Sequence, residues 1–380
     1  MVPSLYLHVP FCPSICPYCD FHKMRKHEGL VARYLDRLEQ EAEALAARHP
    51  GPLDTVYLGG GTPSHLTDGE LARVFALLAR SWGTPARLET TLEADPRTFD
   101  RERLARFRDH GVDRLSIGLQ STQDDVLRFL GRVHDGAEGL AAVRQALDAG
   151  FRVTVDVIMA VPGQDLEQDL RRVADLGVRH MSVYTLTVEP HTPFALRGVR
   201  VDPEVDADAF ETAEAVLATY GLARYEVSNY AVPGEESRHN QAYWRGAWYL
   251  GLGPSASGHL PDGPFGTRYR NPPIKDWLAG AAPERDPLTA DDVVLERLMT
   301  GLRTRDGVDL AELERTTGVG VETAHATWLR TASRHHLVTL DDARRLRTTG
   351  AGLARLDALL LAFVRGDGSA RAASAASAPS

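Results

Sequence analysis

The sequence predicts an α/β protein: a partial (β/α)6 barrel with a smaller helical domain after it. Two observations predict the barrel. Six short apolar runs alternate with longer amphipathic segments, and the residues able to do chemistry collect just after those runs. A third predicts the helical domain, since from Thr289 onward the alternation gives way to short helical patterns.

The apolar runs are SLYLHV (Ser4 to Val9), TVYLGG (Thr55 to Gly60), LETTLEA (Leu88 to Ala94), RLSIGL (Arg114 to Leu119), RVTVDVIM (Arg152 to Met159) and HMSVYTLTV (His180 to Val188). Their β-branched content and short length fit strands. Helical patterns lie between them, over Leu30 to Ala47, Asp68 to Ser81, Arg101 to His110, Ala137 to Ala149 and Leu166 to Leu176. Parallel strands joined by right-handed crossovers follow, with chemistry expected at the strands' C-terminal ends. Residues 1–200 are read as this barrel and 201–288 as its extension. Within the extension, residues 203–221 read as a helix, Ala223 to Tyr230 as extended, and GTRYRNPPIKDWL as irregular and proline-broken. Residues 289–365 offer helices over Asp291 to Thr304, Leu310 to Thr317 and Val321 to His335, a hairpin over Leu337 to Thr348, and a helix over Ala351 to Val364. That order resembles a winged-helix module. The tail, 366–380, is Ala- and Ser-rich without apolar period and is expected to be disordered.

All three cysteines fall in one stretch, FCPSICPYC, as Cys12, Cys16 and Cys19. An odd number excludes a closed disulfide set. Three thiolates on one loop suit an iron–sulfur cube that keeps one iron open to a non-protein ligand. Zinc competes, with His8 and His22 as additional ligands. The loop follows the first apolar run directly. Gly59-Gly60-Gly61-Thr62-Pro63 follows the second, Glu93 ends the third, Gln120 ends the fourth, Asp156 lies in the fifth, and Thr187 and Glu189 close the sixth. Glycines without Cβ let backbone approach a ligand closely.

A net charge of −9 disfavours a general nucleic-acid surface. The local basic run Arg330, Arg334, Arg344, Arg345 and Arg347 reads as a solvated face, and the C-terminal domain as a packing or protein-docking unit. No segment approaches the ~20 apolar residues of a membrane span, and the first residues lack a basic, cleavable leader. A cytoplasmic protein is expected.

YLHVPFCPSICPYC followed by GGGTP, LEADP, LSIGLQS, VDVIMAVPGQ and SVYTLTVEP resembles the radical S-adenosylmethionine (SAM) superfamily, in its oxygen-independent coproporphyrinogen III oxidase-like branch. The resemblance runs from about Ser4 to Arg365 and implies a TIM-like partial barrel of the radical SAM type. It implies a [4Fe-4S] cluster on Cys12, Cys16 and Cys19, with SAM chelated to the open iron and split reductively to a 5′-deoxyadenosyl radical. Tyr6, Gly60, Gly61 and Thr62 would form the SAM environment. Glu93 would accept from its ribose hydroxyls or ammonium, and Arg132 would meet its carboxylate. Tyr18, Gln120 and Asp156 match positions that surround a second SAM in the oxidase. Without the resemblance, Arg132 reads as a surface helix residue, Gln120 as a strand-end cap and Asp156 as a buried hydrogen-bond partner.

The branch holds true oxidases and the haem chaperones named HemW, which resemble them. Three features resemble the chaperones. Only five residues precede Tyr6, where the oxidase carries an extension; Phe21 stands where the oxidase has an extra cysteine; and HNQAYW, His239 to Trp244, matches the chaperones' HNxxYW signature. Haem is therefore expected as a ligand, with His239 its iron ligand or contact residue. The partners implied are haem-accepting proteins such as respiratory enzymes, a reductant such as flavodoxin or ferredoxin, and a second copy of the chain. The alternatives are porphyrinogen decarboxylation and, from another class, a DNA-binding iron–sulfur regulator.

Overall fold

The computed structural model describes residues 2–83 and 88–366. Six strands, β1 (Ser4–Val9), β2 (Thr55–Gly60), β3 (Glu89–Ala94), β4 (Arg114–Gln120), β5 (Arg152–Met159) and β6 (His180–Thr185), lie side by side in chain order and all parallel. Helices fill the crossovers. α1 (Glu28–Arg48) buries Val31, Tyr34, Leu35, Leu38, Ala42 and Leu45, the three- and four-residue spacing of one helix face. α2 (Asp68–Trp82) starts on a reciprocal cap: Thr67 Oγ1 accepts from Glu70 N–H, and the Glu70 carboxylate accepts from Thr67 N–H at 2.6 Å. The central strands bury apolar residues at alternate positions, Leu115, Ile117 and Leu119 in β4 and Val153, Val155 and Val157 in β5, with Ser116, Thr154 and Asp156 at the positions between.

The sheet extends beyond these six strands. β7 (Ala223–Arg224) and β8 (Asn229–Ala231) add antiparallel to the β6 edge. At the other edge β9 (Tyr249–Leu252) runs parallel to β1, followed antiparallel by β10 (Ser257–Leu260), β11 (Thr267–Arg270) and β12 (Glu284–Pro287). The segment read as irregular, GTRYRNPPIKDWL, is therefore strand β11 followed by the helix Ile274–Leu278. It pairs antiparallel with its sequence neighbours β10 and β12, and its alternation of Arg with Thr and Tyr carries no apolar period to mark a strand. The sixth strand also stops at Thr185, three residues before the expected Val188.

A second apolar core, around Leu298, Leu313, Trp328, Leu346 and Phe363, lies in residues 294–363. Here the helices Ala290–Gly301, Leu310–Thr317 and Ala326–Arg334 pack on a three-stranded sheet of β13 (Val308–Asp309), β15 (Arg345–Thr348) and β14 (Val338–Leu340), in that spatial order. The expected helix over Val321 to His335 is broken at His325. The expected disordered tail lies, Gly366 apart, outside the described residues. Among the described residues no helix is long and apolar enough to cross a membrane.

Candidate functional site

The cysteine loop leaves β1 at Pro10, and Phe11–Cys12 pairs in parallel with Met24–Arg25. The Met24 N–H donates to Pro10 O at 2.8 Å, which closes the base of the loop. All three thiols are free and partly accessible. Burial pushes the Cys12 thiol up to about 11, against a hydrogen bond from Thr62, and the other two cysteines also act on it electrostatically. Burial raises Cys19 as well, while the Lys23 ammonium opposes the rise. The Lys23 Nζ donates to the Cys19 carbonyl.

Opposite this loop stands the triple glycine at the end of β2. Gly60 has φ +108°, and a Cβ there would sit 2.4 Å from His8 Cε1; one on Gly61 would meet the Val9 and Pro10 backbone at 2.8 Å. Glycine is thus required because β2 passes against the end of β1, where Gly61 N–H bonds Val9 O and Thr62 N–H bonds Phe11 O. Gly60 N–H also donates to Glu93 Oε2 at 3.0 Å, and the Tyr57 hydroxyl donates to Oε1 at 2.9 Å. Burial nevertheless pushes Glu93 up to about 7. Asp156, one strand further than Gln120, accepts from Ser116 Oγ on both oxygens at 3.2 Å and is likewise pushed up to about 7, by burial and then by Glu93. Gln120 takes a left-handed conformation, φ 72°, at a bulge that begins at Gly118. Tyr18 packs its ring against Phe194 in a small apolar cluster beside Cys16.

Arg132 is buried, not a surface helix residue. Its guanidinium donates to Asp95 Oδ2 at 2.6 Å, to Gly118 O at 2.8 Å and to Cys16 Sγ at 3.4 Å. It joins the cysteine loop to the rims of β3 and β4. Asp95 was not among the expected site residues, although it stands two places after Glu93 in LEADP. Tyr57 was also missed, a polar-tipped ring between apolar Val56 and Leu58.

The two raised carboxyls give a pH prediction for the cofactor-free protein. Folded, Glu93 and Asp156 keep their protons to about pH 7, whereas unfolded they release them near pH 4 to 4.5. Between those values the folded state binds more protons, so this contribution to stability is lost as pH rises from about 4.5 through about 7. The thermal midpoint should therefore gain more from pH 8 to pH 5.5 in the wild type than in a Glu93→Gln/Asp156→Asn variant; equal gains in the two would contradict the assignment.

HNQAYW forms most of the short helix Arg238–Trp244, capped by Ser237. It does not leave His239 available to iron as expected. His239 is 1% exposed, with Nδ1 bonded to Thr55 Oγ1 at 2.8 Å and Nε2 to the Tyr243 hydroxyl at 2.8 Å. Both ring nitrogens are occupied, and burial pushes its pKa down to about 3. Its ring stacks on Tyr57 at 5.2 Å, so it supports the tyrosine that holds Glu93. His239→Ala should cost about 1–3 kcal/mol in urea unfolding, by leaving Thr55 without its partner, while the cluster remains; an unchanged midpoint would remove this strut role.

Beneath the loop a cavity of about 570 Å³ is lined by Tyr6, Tyr57, Glu93, Tyr249, His22 and Arg270 among others. Tyr6 donates to His8 Nδ1 at 3.0 Å, since His8 Nε2 donates to the His22 carbonyl at 2.8 Å.

Residues 6–183 match the profile of the Radical SAM superfamily and residues 288–355 that of the HemN C-terminal domain. A Lactococcus lactis protein named heme chaperone HemW is 32% identical, covering 92% of this chain and 94% of its own. The chain belongs to the radical SAM superfamily. Within it, proteins of the same name from Bacillus subtilis and Escherichia coli are 35% and 34% identical, over 80% and 83% of this chain and 84% and 86% of theirs. The Escherichia coli coproporphyrinogen III oxidase HemN superposes with a TM-score of 0.82 at 25% identity, covering 95% of this chain and 90% of that one. The likeness to both places the chain in the oxidase-like branch.

Radical SAM membership implies a [4Fe-4S] cluster and SAM. The residues present fit the cluster: three free thiols lie on one loop, close enough to influence one another, with the Arg132 guanidinium and Lys23 ammonium beside them. Coordination reverses the raised thiol pKa, because the thiolate is the ligand form. Zinc fits less well. Among the described residues no group of three or more His, Cys, Asp or Glu side chains is disposed around a single ion, and His8 and His22 direct their Nε2 atoms to backbone groups. A cube asks for less, since each thiolate takes a different iron.

Proposed function

We propose that the protein is a cytoplasmic haem chaperone that holds haem at the mouth of a barrel carrying a [4Fe-4S] cluster and SAM, and delivers it to haem proteins such as respiratory enzymes. The observation that carries this reading is the identity of 32–35% to proteins named heme chaperone HemW, over most of both chains. Bound together, the cluster and SAM supply a one-electron reductant beside a sulfonium. Cys12, Cys16 and Cys19 hold the cluster. Glu93, kept in place by Tyr57 and Gly60, accepts from SAM, and Tyr6, Gly60, Gly61 and Thr62 form the floor beside it. Arg132 balances the negative charge of Cys16, Asp95 and the SAM carboxylate. Tyr18, Gln120 and Asp156 border the place of a second SAM. A reductant of the flavodoxin or ferredoxin kind and self-association belong to the same proposal.

The fold likeness to HemN favours a second reading, SAM-dependent oxidative decarboxylation of coproporphyrinogen III. Anaerobic incubation of the reconstituted, reduced protein with SAM and coproporphyrinogen III separates the two. The chaperone reading expects no protoporphyrinogen, with haem instead transferred to an apo haem protein; turnover without haem transfer would establish the oxidase. Replacing Arg132 with Ala should weaken SAM binding in equilibrium dialysis by about tenfold, the loss of one charge-assisted hydrogen bond. An unchanged affinity would confine Arg132 to its Asp95 and Cys16 contacts.

A further inference from the structure

We propose that Arg270 and the Nδ1–H of His22 form a carboxylate-binding pair at the mouth of the cavity, and that the carboxylate they take is a propionate of the bound tetrapyrrole. The inference rests on the haem reading above and adds the subsite that orients the ring.

The tautomer of His22 follows from its neighbours. The Ile274 backbone N–H, the first of its helix, donates to His22 Nε2 at 3.2 Å. A nitrogen that accepts carries no proton, so the neutral imidazole carries its proton on Nδ1. Burial, followed by the charges of Arg270 and Lys23, holds the ring in the neutral state. The His22 carbonyl meanwhile accepts from His8 Nε2, which pins the residue from its backbone side. Nδ1–H has no partner among the described residues, and His22 lines the cavity. An imidazole fixed in this way is a hydrogen-bond donor to a ligand rather than an iron ligand.

Arg270 ends β11 and lines the same cavity. Its guanidinium makes no hydrogen bond or ion pair among the described residues. Arg268, two residues earlier on the same face of the strand, shows the contrast: its guanidinium is held by Glu296 and by the Tyr249 hydroxyl. Glu284, in register with Arg270 on β12, is not within ion-pair distance of it. The exposed Arg270 guanidinium and a fixed N–H donor thus line one cavity, and neither of its lining carboxylates, Asp20 and Glu93, is within ion-pair distance of Arg270, which leaves a place for a ligand carboxylate. Phe21, 61% exposed, and the rings of Tyr6 and Tyr249 line the same cavity and supply aromatic surface for a planar ligand. Asp20, an exposed carboxylate in the same lining, repels a propionate, whereas Arg270 attracts it.

SAM also carries a carboxylate, and the test separates the two sources. Haem and haem dimethyl ester, whose propionates are blocked, are titrated anaerobically into the cluster-reconstituted wild type, Arg270→Gln and Arg270→Lys, with SAM affinity measured in parallel and circular dichroism as the fold control. The expected results are about tenfold weaker haem binding in Arg270→Gln, partial rescue by lysine, equally weak binding of the ester to all three proteins, and unchanged SAM affinity. Equal haem affinity in the wild type and Arg270→Gln would overturn the inference while leaving the haem reading in place. Loss of SAM affinity with haem binding intact would assign the pair to SAM. A wild type that binds neither haem nor its ester would overturn the haem reading, and this inference with it.

Discussion

Replacing Cys12, Cys16 or Cys19 singly with Ser abolishes the iron–sulfur absorbance after anaerobic reconstitution, and SAM binding falls with it. The effect is all-or-none because a cube bound by only three thiolates cannot spare one, and a serine hydroxyl does not ionise at neutral pH to replace it. Among the described residues, no other cysteine is present to substitute, and the neighbouring imidazoles of His8 and His22 are engaged with backbone groups. The variants should keep the barrel, since the loop hangs on Phe11 and Met24 backbone pairing rather than on sulfur. A full complement of cluster in any of the three would contradict the assignment.

Replacing Glu89 with Ala destabilises the barrel by about 3–5 kcal/mol, because it strands a buried guanidinium. Glu89 and Arg114 are 1% exposed or less, and the Arg114 Nη2 lies 3.6 Å from Glu89 Oε2. Arg152 reaches the same oxygen at 3.1 Å, and Glu89 Oε1 accepts the His239 backbone N–H at 3.1 Å. Arg114 keeps hydrogen bonds to Glu235 O and Thr154 Oγ1 but, among the described residues, has no other carboxylate within ion-pair distance. Denaturant unfolding of the variant measures the loss, and a cost under 1 kcal/mol would mean that the pair is solvated. Glu89→Gln, which keeps an acceptor, should fall between the two.

Glu89 and Glu93 show what the sequence reveals and what it hides. They stand four apart on β3, on one face of the strand. Only the rule that barrel chemistry gathers at strand C-termini marks Glu93 for the site and leaves Glu89 at the opposite, stabilising end. The same rule pointed to Gly60, Gln120 and Asp156, and the six parallel strands were legible because each carries an apolar residue at alternate positions, as Leu115, Ile117 and Leu119 do in β4. Strands β9 to β12 were not, since each is only four residues long with few apolar residues to mark it, and β9 is defined by β1, more than two hundred residues away. His239 lines the cavity, but as an iron ligand it was misjudged for a related reason. A motif shows an imidazole but not the Thr55 hydroxyl, 184 residues away, that occupies one nitrogen. Arg132 looked like a helix-surface residue for want of Asp95 and Cys16, which only the folded rim brings to it.

The proposed function, haem carriage by a SAM-bearing radical SAM barrel, requires specific haem binding. Anaerobic titration of haem into the cluster-reconstituted protein, followed by its Soret band, tests it most directly. The account predicts saturable, stoichiometric binding that survives in the Cys12→Ser, Cys16→Ser and Cys19→Ser variants to the extent that their barrels fold, and that weakens when Arg270 is replaced. Unsaturable, non-specific uptake by the intact protein would contradict it.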